Sequence, residues 1–193
     1  GKGLAERAVD EIAKTGQRAT VVRLPVMTGA HDHTKRLHFY RSRLRDAEGL
    51  ITVGDGSHGV QIASHLDLAH ALRRWLEMDS RPATPVWEAL PPAQLSWRDF
   101  LERLAQRDGL QARLHPMSET ELENALPELL EADPLWRERA TPVTEHNLFE
   151  ATGAPVTPPR SWMAELEPIE ASAMEPALRE RERDLIRRRP HGD

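Results

Sequence analysis

Proline and glycine are unevenly distributed along this chain, and that limits how it can fold. Of 15 prolines only Pro25 lies before residue 80, whereas eight of the 11 glycines lie before residue 60. Proline cannot donate to a sheet ladder and breaks helix interiors. Residues 1–80 can therefore build uninterrupted strands and helices, while 81–193 must be cut into helices separated by Pro-marked turns. Helix and strand alternate along the first part, the pattern of an α/β fold.

Local patterns sharpen this division. Leu4, Ala5, Ala8, Val9, Ile12 and Ala13 follow helical spacing, and Gly16 stands where a helix stops. Arg18–Leu24 is β-branched and apolar, the pattern of a strand buried on both faces of a parallel sheet. A helix is expected over 33–47, with Leu37, Tyr40, Leu44 and Ala47 on one side. Short strands are expected at Leu50–Val53, Val60–Ala63, Val86–Leu90 and Leu110–Leu114. Asp67 reads as the cap of a helix carrying Leu68, Ala71, Leu72, Trp75 and Leu76. Ser96 with Asp99 is a capping-box-like start, Ser118 with Glu121 is a second capping box, and Pro127 should kink or split the helix that Ser118 opens. The last helix should run from near Pro176 to the Arg187–Arg189 cluster, its alternating Arg and Glu reading as a solvated face with local ion pairs.

Composition removes several function classes. With 26 basic and 31 acidic residues the net charge is −5, a poor match to the clustered positive charge that nucleic acids require. No apolar run approaches the roughly 20 residues of a spanning helix, and no signal-peptide pattern opens the chain. The chain has no cysteine, so disulfides, thiolate metal sites and a Cys nucleophile are excluded. That composition fits a cytoplasmic protein.

Two motifs invite over-reading. Gly54-Asp55-Gly56-Ser57-His58-Gly59 matches G-x-G-x-x-G, but a phosphate-cradling loop must open a helix. Val60-Gln61-Ile62-Ala63 follows instead with strand character, so a β-turn is expected. His31, Asp32, His33 and His38 could be drawn as a metal site, but no helical H-E-x-x-H spacing is present. They read as a polar loop lining a pocket, and no metal is expected.

The informative stretch is 1–76. It opens with Gly1-Lys2-Gly3-Leu4-Ala5-Glu6, then Arg23-Leu24-Pro25-Val26-Met27-Thr28-Gly29-Ala30, a strand running into a loop. His31-Asp32-His33-Thr34-Lys35-Arg36, Gly54-Asp55-Gly56, Val60-Gln61 and Asp67-Leu68-Ala69 complete the series. In this order the segments resemble the extended short-chain dehydrogenase/reductase superfamily, NAD-dependent epimerase/dehydratase type. The G-x-H-D-x-T-x-R run is similar to that of reductase-like bacterial members, which also resemble chloroplast stem-loop-binding proteins.

The resemblance implies the C-terminal part of a Rossmann-like parallel sheet plus a smaller mixed α/β substrate-binding region. Residues 1–80 would close the NAD(P)-binding domain and 81–193 would form the mostly helical substrate region. Lys2 matches the Lys of the family's Y-x-x-x-K motif, so it would serve as catalytic and cofactor-binding residue. Its Tyr and the Gly-rich loop would lie upstream, in a longer protein of which this chain is a piece. Pro25 and Val26 would sit nearest NAD or NADP, and His31, Thr34 and Arg36 would contact a small-molecule substrate. The implied activity is that of an NAD(P)-dependent oxidoreductase, epimerase or dehydratase using Tyr/Lys acid–base chemistry and hydride transfer, with a homodimer as a compatible assembly. Val26 and Val60 stand where many relatives carry Asn and Arg. That departure motivates an alternative, a non-enzymatic NAD(P)-sensing or RNA-associated relative. A free-standing α/β interaction domain is the third reading.

Overall fold

The computed structural model describes residues 2–17, 19–29, 34–79, 86–91, 95–135, 146–168 and 174–189. In chain order the elements are α1 (Lys2–Lys14), β1 (Val21–Arg23), β2 (Val26–Thr28), α2 (Arg36–Leu44), β3 (Leu50–Val53), β4 (Gly59–Val60), β5 (Ile62–Ser64) and α3 (His65–Glu77). There follow β6 (Val86–Glu88), β7 (Leu95–Ser96), α4 (Trp97–Arg107), β8 (Leu114–Met117), α5 (Glu119–Ala125), α6 (Pro127–Ala132), α7 (Leu148–Thr152), α8 (Pro159–Ala164) and α9 (Pro176–Arg188). The α/β class expected from the alternation is what forms. No helix among the described residues is long and apolar enough to cross a membrane.

The chain divides into two compact units that interleave along the sequence. The first comprises Gly1–Met27, Gln61–Ala93 and Thr141–Thr157, the second Thr28–Val60, Gln94–Ala140 and Pro158–Asp193. Neither coincides with 1–80 or 81–193.

In the first unit β1 runs parallel to β6, with Val21 opposite Val86 and Arg23 opposite Glu88. Trp87, Ala63, Leu68, Ala71, Leu148 and Phe149 form its core. The strand expected over 18–24 is short and only half-buried, with Arg23 exposed. Among the described residues β6 is its one pairing strand, so its other edge keeps no ladder. The α3 start also differs from expectation. Ser64, not Asp67, caps the helix, accepting a hydrogen bond from Leu66 N at 3.2 Å. Asp67 lies buried inside the first turn, where its carboxylate accepts from Thr157 N at 2.7 Å and from Thr157 Oγ1 at 2.6 Å.

In the second unit β3 is buried along its whole length and runs parallel to β8, Leu50 opposite Leu114 and Val53 opposite Met117. The sequence predicts a short strand at 110–114. It forms instead at Leu114–Met117, and includes Pro116, the residue type that ends a strand in a sequence reading. The turn at 54–58 is as expected: Gly54 and Gly56 have φ of +70° and +76°, and β4 follows rather than a helix. The helix expected over 33–47 spans only Arg36–Leu44. Ser96 and Ser118 both cap their helices, the reciprocal capping box forming between Ser118 and Glu121, and Pro127 separates α5 from α6.

The C-terminal helix departs most from its pattern. Arg181, Asp184 and Arg187 are solvated, but Arg179 and Glu182 are buried. Glu182, 0% exposed, accepts from Arg43 Nε at 3.0 Å and from Ile51 N at 2.8 Å, and also pairs with Arg179. A carboxylate can sit so deep because two guanidiniums and a backbone N–H occupy its lone pairs. Burial pushes the Glu182 carboxyl up, but Arg43 and then Arg179 outweigh it and hold it below the usual range.

Candidate functional site

In α/β sheets ligands collect at the carboxyl ends of parallel strands. In the first unit that edge is formed where β1 and β6 end, and Arg23 O accepts from Ala89 N at 2.9 Å. Half-buried Pro25 follows β1, lacking an N–H to extend a ladder, and buried Val26 opens β2. Glu6, marked in the sequence only by its spacing from Lys2, has Arg23 as its partner. The Arg23 fork reaches both Glu6 oxygens, at 3.0 and 2.9 Å, and this hydrogen bonding holds the Glu6 carboxyl below its ordinary range. The contact ties α1, the helix that Lys2 opens, to the last residue of β1. The Lys2 side chain and His31 lie outside the described residues.

Thr34 and Arg36 belong to the second unit, Pro25 and Val26 to the first. Thr34 is exposed, and Arg36 is the half-buried first residue of α2. Between them Lys35 holds φ +53°, the left-handed conformation that non-glycine residues avoid. Thr28, Gly29, Lys35, Leu37, His38, Leu166 and Glu167 line a cavity of about 20 Å³. This is room for about one water, not for a substrate. Among the described residues no group of three His, Cys, Asp or Glu side chains could hold a metal.

Two buried arginines anchor α2, and the sequence reading missed both. Arg41, 0% exposed, sends a fork to Asp108 (Nε to Oδ2 at 2.9 Å, Nη2 to Oδ1 at 2.7 Å) and donates to Glu167 O at 2.7 Å. Asp108 also pairs with Arg107, which donates to Met163 O at 3.0 Å and to Leu166 O. Burial raises the Asp108 carboxyl, but the Arg41 hydrogen bonds, with those of Arg107, carry it below the usual range. One carboxylate thus orients two guanidiniums that grip the carbonyls of segment 163–167, the segment that walls the small cavity. A signal existed in the sequence: Leu37, Arg41 and Leu44 share one helical stripe, which places Arg41 on the buried side.

Tyr40 is the one tyrosine of the chain. Its hydroxyl donates to Asp133 and accepts from Leu135 N at 3.1 Å, and its ring meets Trp97 edge-on at 4.9 Å. Burial, reinforced by the Asp133 charge, pushes its phenol well above the ordinary value. A phenol so placed holds the core together and is unsuited to proton exchange with a substrate at neutral pH.

No protein-family profile matches the chain, and no curated protein sequence matches it. Its fold, however, is similar to solved structures. One is RMD from Pseudomonas aeruginosa complexed with NADPH, with a TM-score of 0.58 and 18% identity over 83% of this chain and 51% of that one. Human epimerase family protein SDR39U1 (isoform 2) with NADPH gives 0.53 and 20% identity, over 77% of this chain and 48% of that one. UDP-glucuronic acid 4-epimerase from Bacillus cereus, in complex with UDP-glucuronic acid and NAD, gives 0.52 and 13%, over 87% of this chain and 45% of that one. The chain therefore spans about half the length of these structures and shares their fold.

Proposed function

We propose that this chain is the substrate-side half of an NAD(P)-dependent oxidoreductase, epimerase or dehydratase acting on a hydroxyl or carbonyl. The observation that carries the reading is the fold likeness to the NADPH complex, which extends over 83% of this chain. The ordered series of motifs from Lys2 to Asp67 supports it independently.

The strand end described above fits a nicotinamide ring. Pro25 and Val26 offer it an apolar wall with no competing N–H from Pro25, at the carboxyl end of a parallel strand. When bound, the nicotinamide gives or takes a hydride. The pyrophosphate has no cradle among the described residues, because Gly54–Gly59 leads into β4 instead of a helix.

The chain's own part in the chemistry is proton handling and orientation. A free phenol has a pKa of about 10, too high for a base at neutral pH, and a neighbouring ammonium lowers it. Lys2 supplies that ammonium in this reading, and Glu6–Arg23 sets the position of its helix against β1. The phenol stands one turn before Lys2 and is not Tyr40, whose hydroxyl is committed to Asp133 and Leu135. His31, Thr34 and Arg36 contact the substrate, with Arg36 fitted to an anionic group.

Calorimetric titration of this chain alone with NAD⁺ and NADP⁺ is expected to show no micromolar binding. Joined to the coding segment that precedes it, the protein should bind one of them, and Lys2→Met should lower kcat by about 100-fold or more. Micromolar binding by the chain alone, or an unaffected Lys2→Met enzyme, refutes the proposal.

A further inference from the structure

The second unit carries a larger cavity that the oxidoreductase reading does not use. It is a half-open cleft of about 770 Å³ beside α4 and α8, and Arg103, Gln106, Arg107, Arg160, Met163 and Ala164 line it. That volume suits a small organic ligand. Among the described residues no carboxylate lines it, in a chain whose net charge is −5.

The three arginines are not equivalent. Arg107 is spoken for: Asp108 and the carbonyls of Met163 and Leu166 take its N–H groups. It contributes a fixed positive wall. Arg103 and Arg160 are exposed and have no hydrogen-bond or ion-pair partner among the described residues. Arg103, Gln106 and Arg107 stand at i, i+3 and i+4 on α4, so they project from one face. Arg160 approaches from α8. The two helices pack on each other beneath the cavity: Trp162 and Met163 are buried and Trp162 lies 6.5 Å from Phe100 of α4, ring to ring. Guanidinium forks that the protein leaves unpaired can meet the oxygens of phosphate two at a time. Met163, Ala164 and the Gln106 amide offer apolar and neutral polar surface for the rest of such a ligand.

We propose that this cavity binds a small phosphorylated molecule, its phosphate or pyrophosphate held by Arg103 and Arg160 against the positive wall of Arg107. The cleft needs neither a cofactor nor Lys2 to bind such a ligand.

The test is calorimetric titration of the full chain at low ionic strength, with inorganic pyrophosphate as the probe and citrate as a carboxylate of comparable charge. Pyrophosphate should bind and citrate should bind at least about tenfold more weakly. Because two charge-assisted contacts are removed, Arg103→Ala with Arg160→Ala should weaken pyrophosphate by about tenfold or more. The conservative Arg103→Lys with Arg160→Lys should restore part of the affinity. Both variants are at exposed positions, and an unchanged far-ultraviolet circular dichroism melt confirms that they fold. Citrate binding as tightly as pyrophosphate, no heat with either probe, or a folded double-alanine variant of unaltered affinity overturns the proposal.

Discussion

Replacing Glu182 with Gln should destabilise the second unit severely, although a single oxygen becomes a nitrogen. In the native protein the carboxylate is 0% exposed and compensates Arg43, itself 1% exposed. It also pairs with Arg179 and accepts from Ile51 N at 2.8 Å. The amide keeps one acceptor for Ile51 but turns an N–H₂ toward guanidinium donors and removes the charge. Arg179 retains Asp46 at 3.1 Å and the Gly49 carbonyl at 2.6 Å. Arg43 is left with Asp133, 3.9 Å away, and the Ile51 carbonyl at 3.0 Å. Breaking a buried pair from one side costs about 3–5 kcal/mol, mostly the penalty of the stranded charge. In a domain of 150–250 residues each kcal/mol moves Tm by about 2–4 °C, so the midpoint should fall by about 6–20 °C. Scanning calorimetry of wild type and Glu182→Gln measures it, with Glu128→Gln, which breaks the exposed pair with Arg181, as the control. A shift for Glu182→Gln no larger than the control's refutes the reasoning. So does an Arg43→Met, Glu182→Leu double variant that loses as much as the two single changes added together, since removing both charges should relieve the stranded one.

Acid should act through the same groups. Asp46, Asp108 and Glu182 all have native pKa values below their ordinary ones. Their stabilisation is complete above the unfolded values of about 4 and is lost as pH falls through the native ones. Urea midpoints should therefore be flat from about pH 7 to 5 and drop below that, less steeply in Glu182→Gln; a midpoint unchanged at pH 3 contradicts this. Gly49→Ala should cost more than Gly109→Ala, since both hold positive φ (+80° and +73°) but an added Cβ meets Arg113 O at 2.1 Å only at Gly49. Left-handed strain alone is worth about 1–2 kcal/mol, so Gly109→Ala should lose about that and Gly49→Ala clearly more, read from urea unfolding of both. Asp67→Asn should destabilise the first unit by about 1.5–3 kcal/mol, because the Thr157 N–H and hydroxyl lose a charged acceptor. An unaltered melt would show that segment 154–157 is held by its apolar contacts instead.

The parts of the fold that sequence made legible are those that local chemistry decides. Ser96 and Ser118 cap because a hydroxyl in extended backbone has orphan N–H groups just ahead of it. Pro127 splits its helix because it has no N–H to give. Asp67 failed as a cap because Ser64 was three residues nearer and because Thr157, 90 positions away, recruits the carboxylate. β8 lies further along the chain than expected, Pro116 included, because pairing with β3 decides where the strand forms. The position of Pro25 and Val26 just after β1 follows from local sequence, whereas the anchors of α2 could not be found that way. Arg41 and Arg43 find their acids at Asp108 and Glu182, 67 and 139 positions on. Yet Glu182 bears a trace in its own helix. Leu178, Glu182 and Ile186 form one stripe at i, i+4 and i+8, with the carboxylate in the middle of an apolar row. An acid centred on an apolar stripe of one helix and its partner Arg43 on the buried side of another, one turn from Phe39 and Tyr40, form a pattern solvation alone would not produce. It calls for a buried pair, because neither charge could go inside without the other.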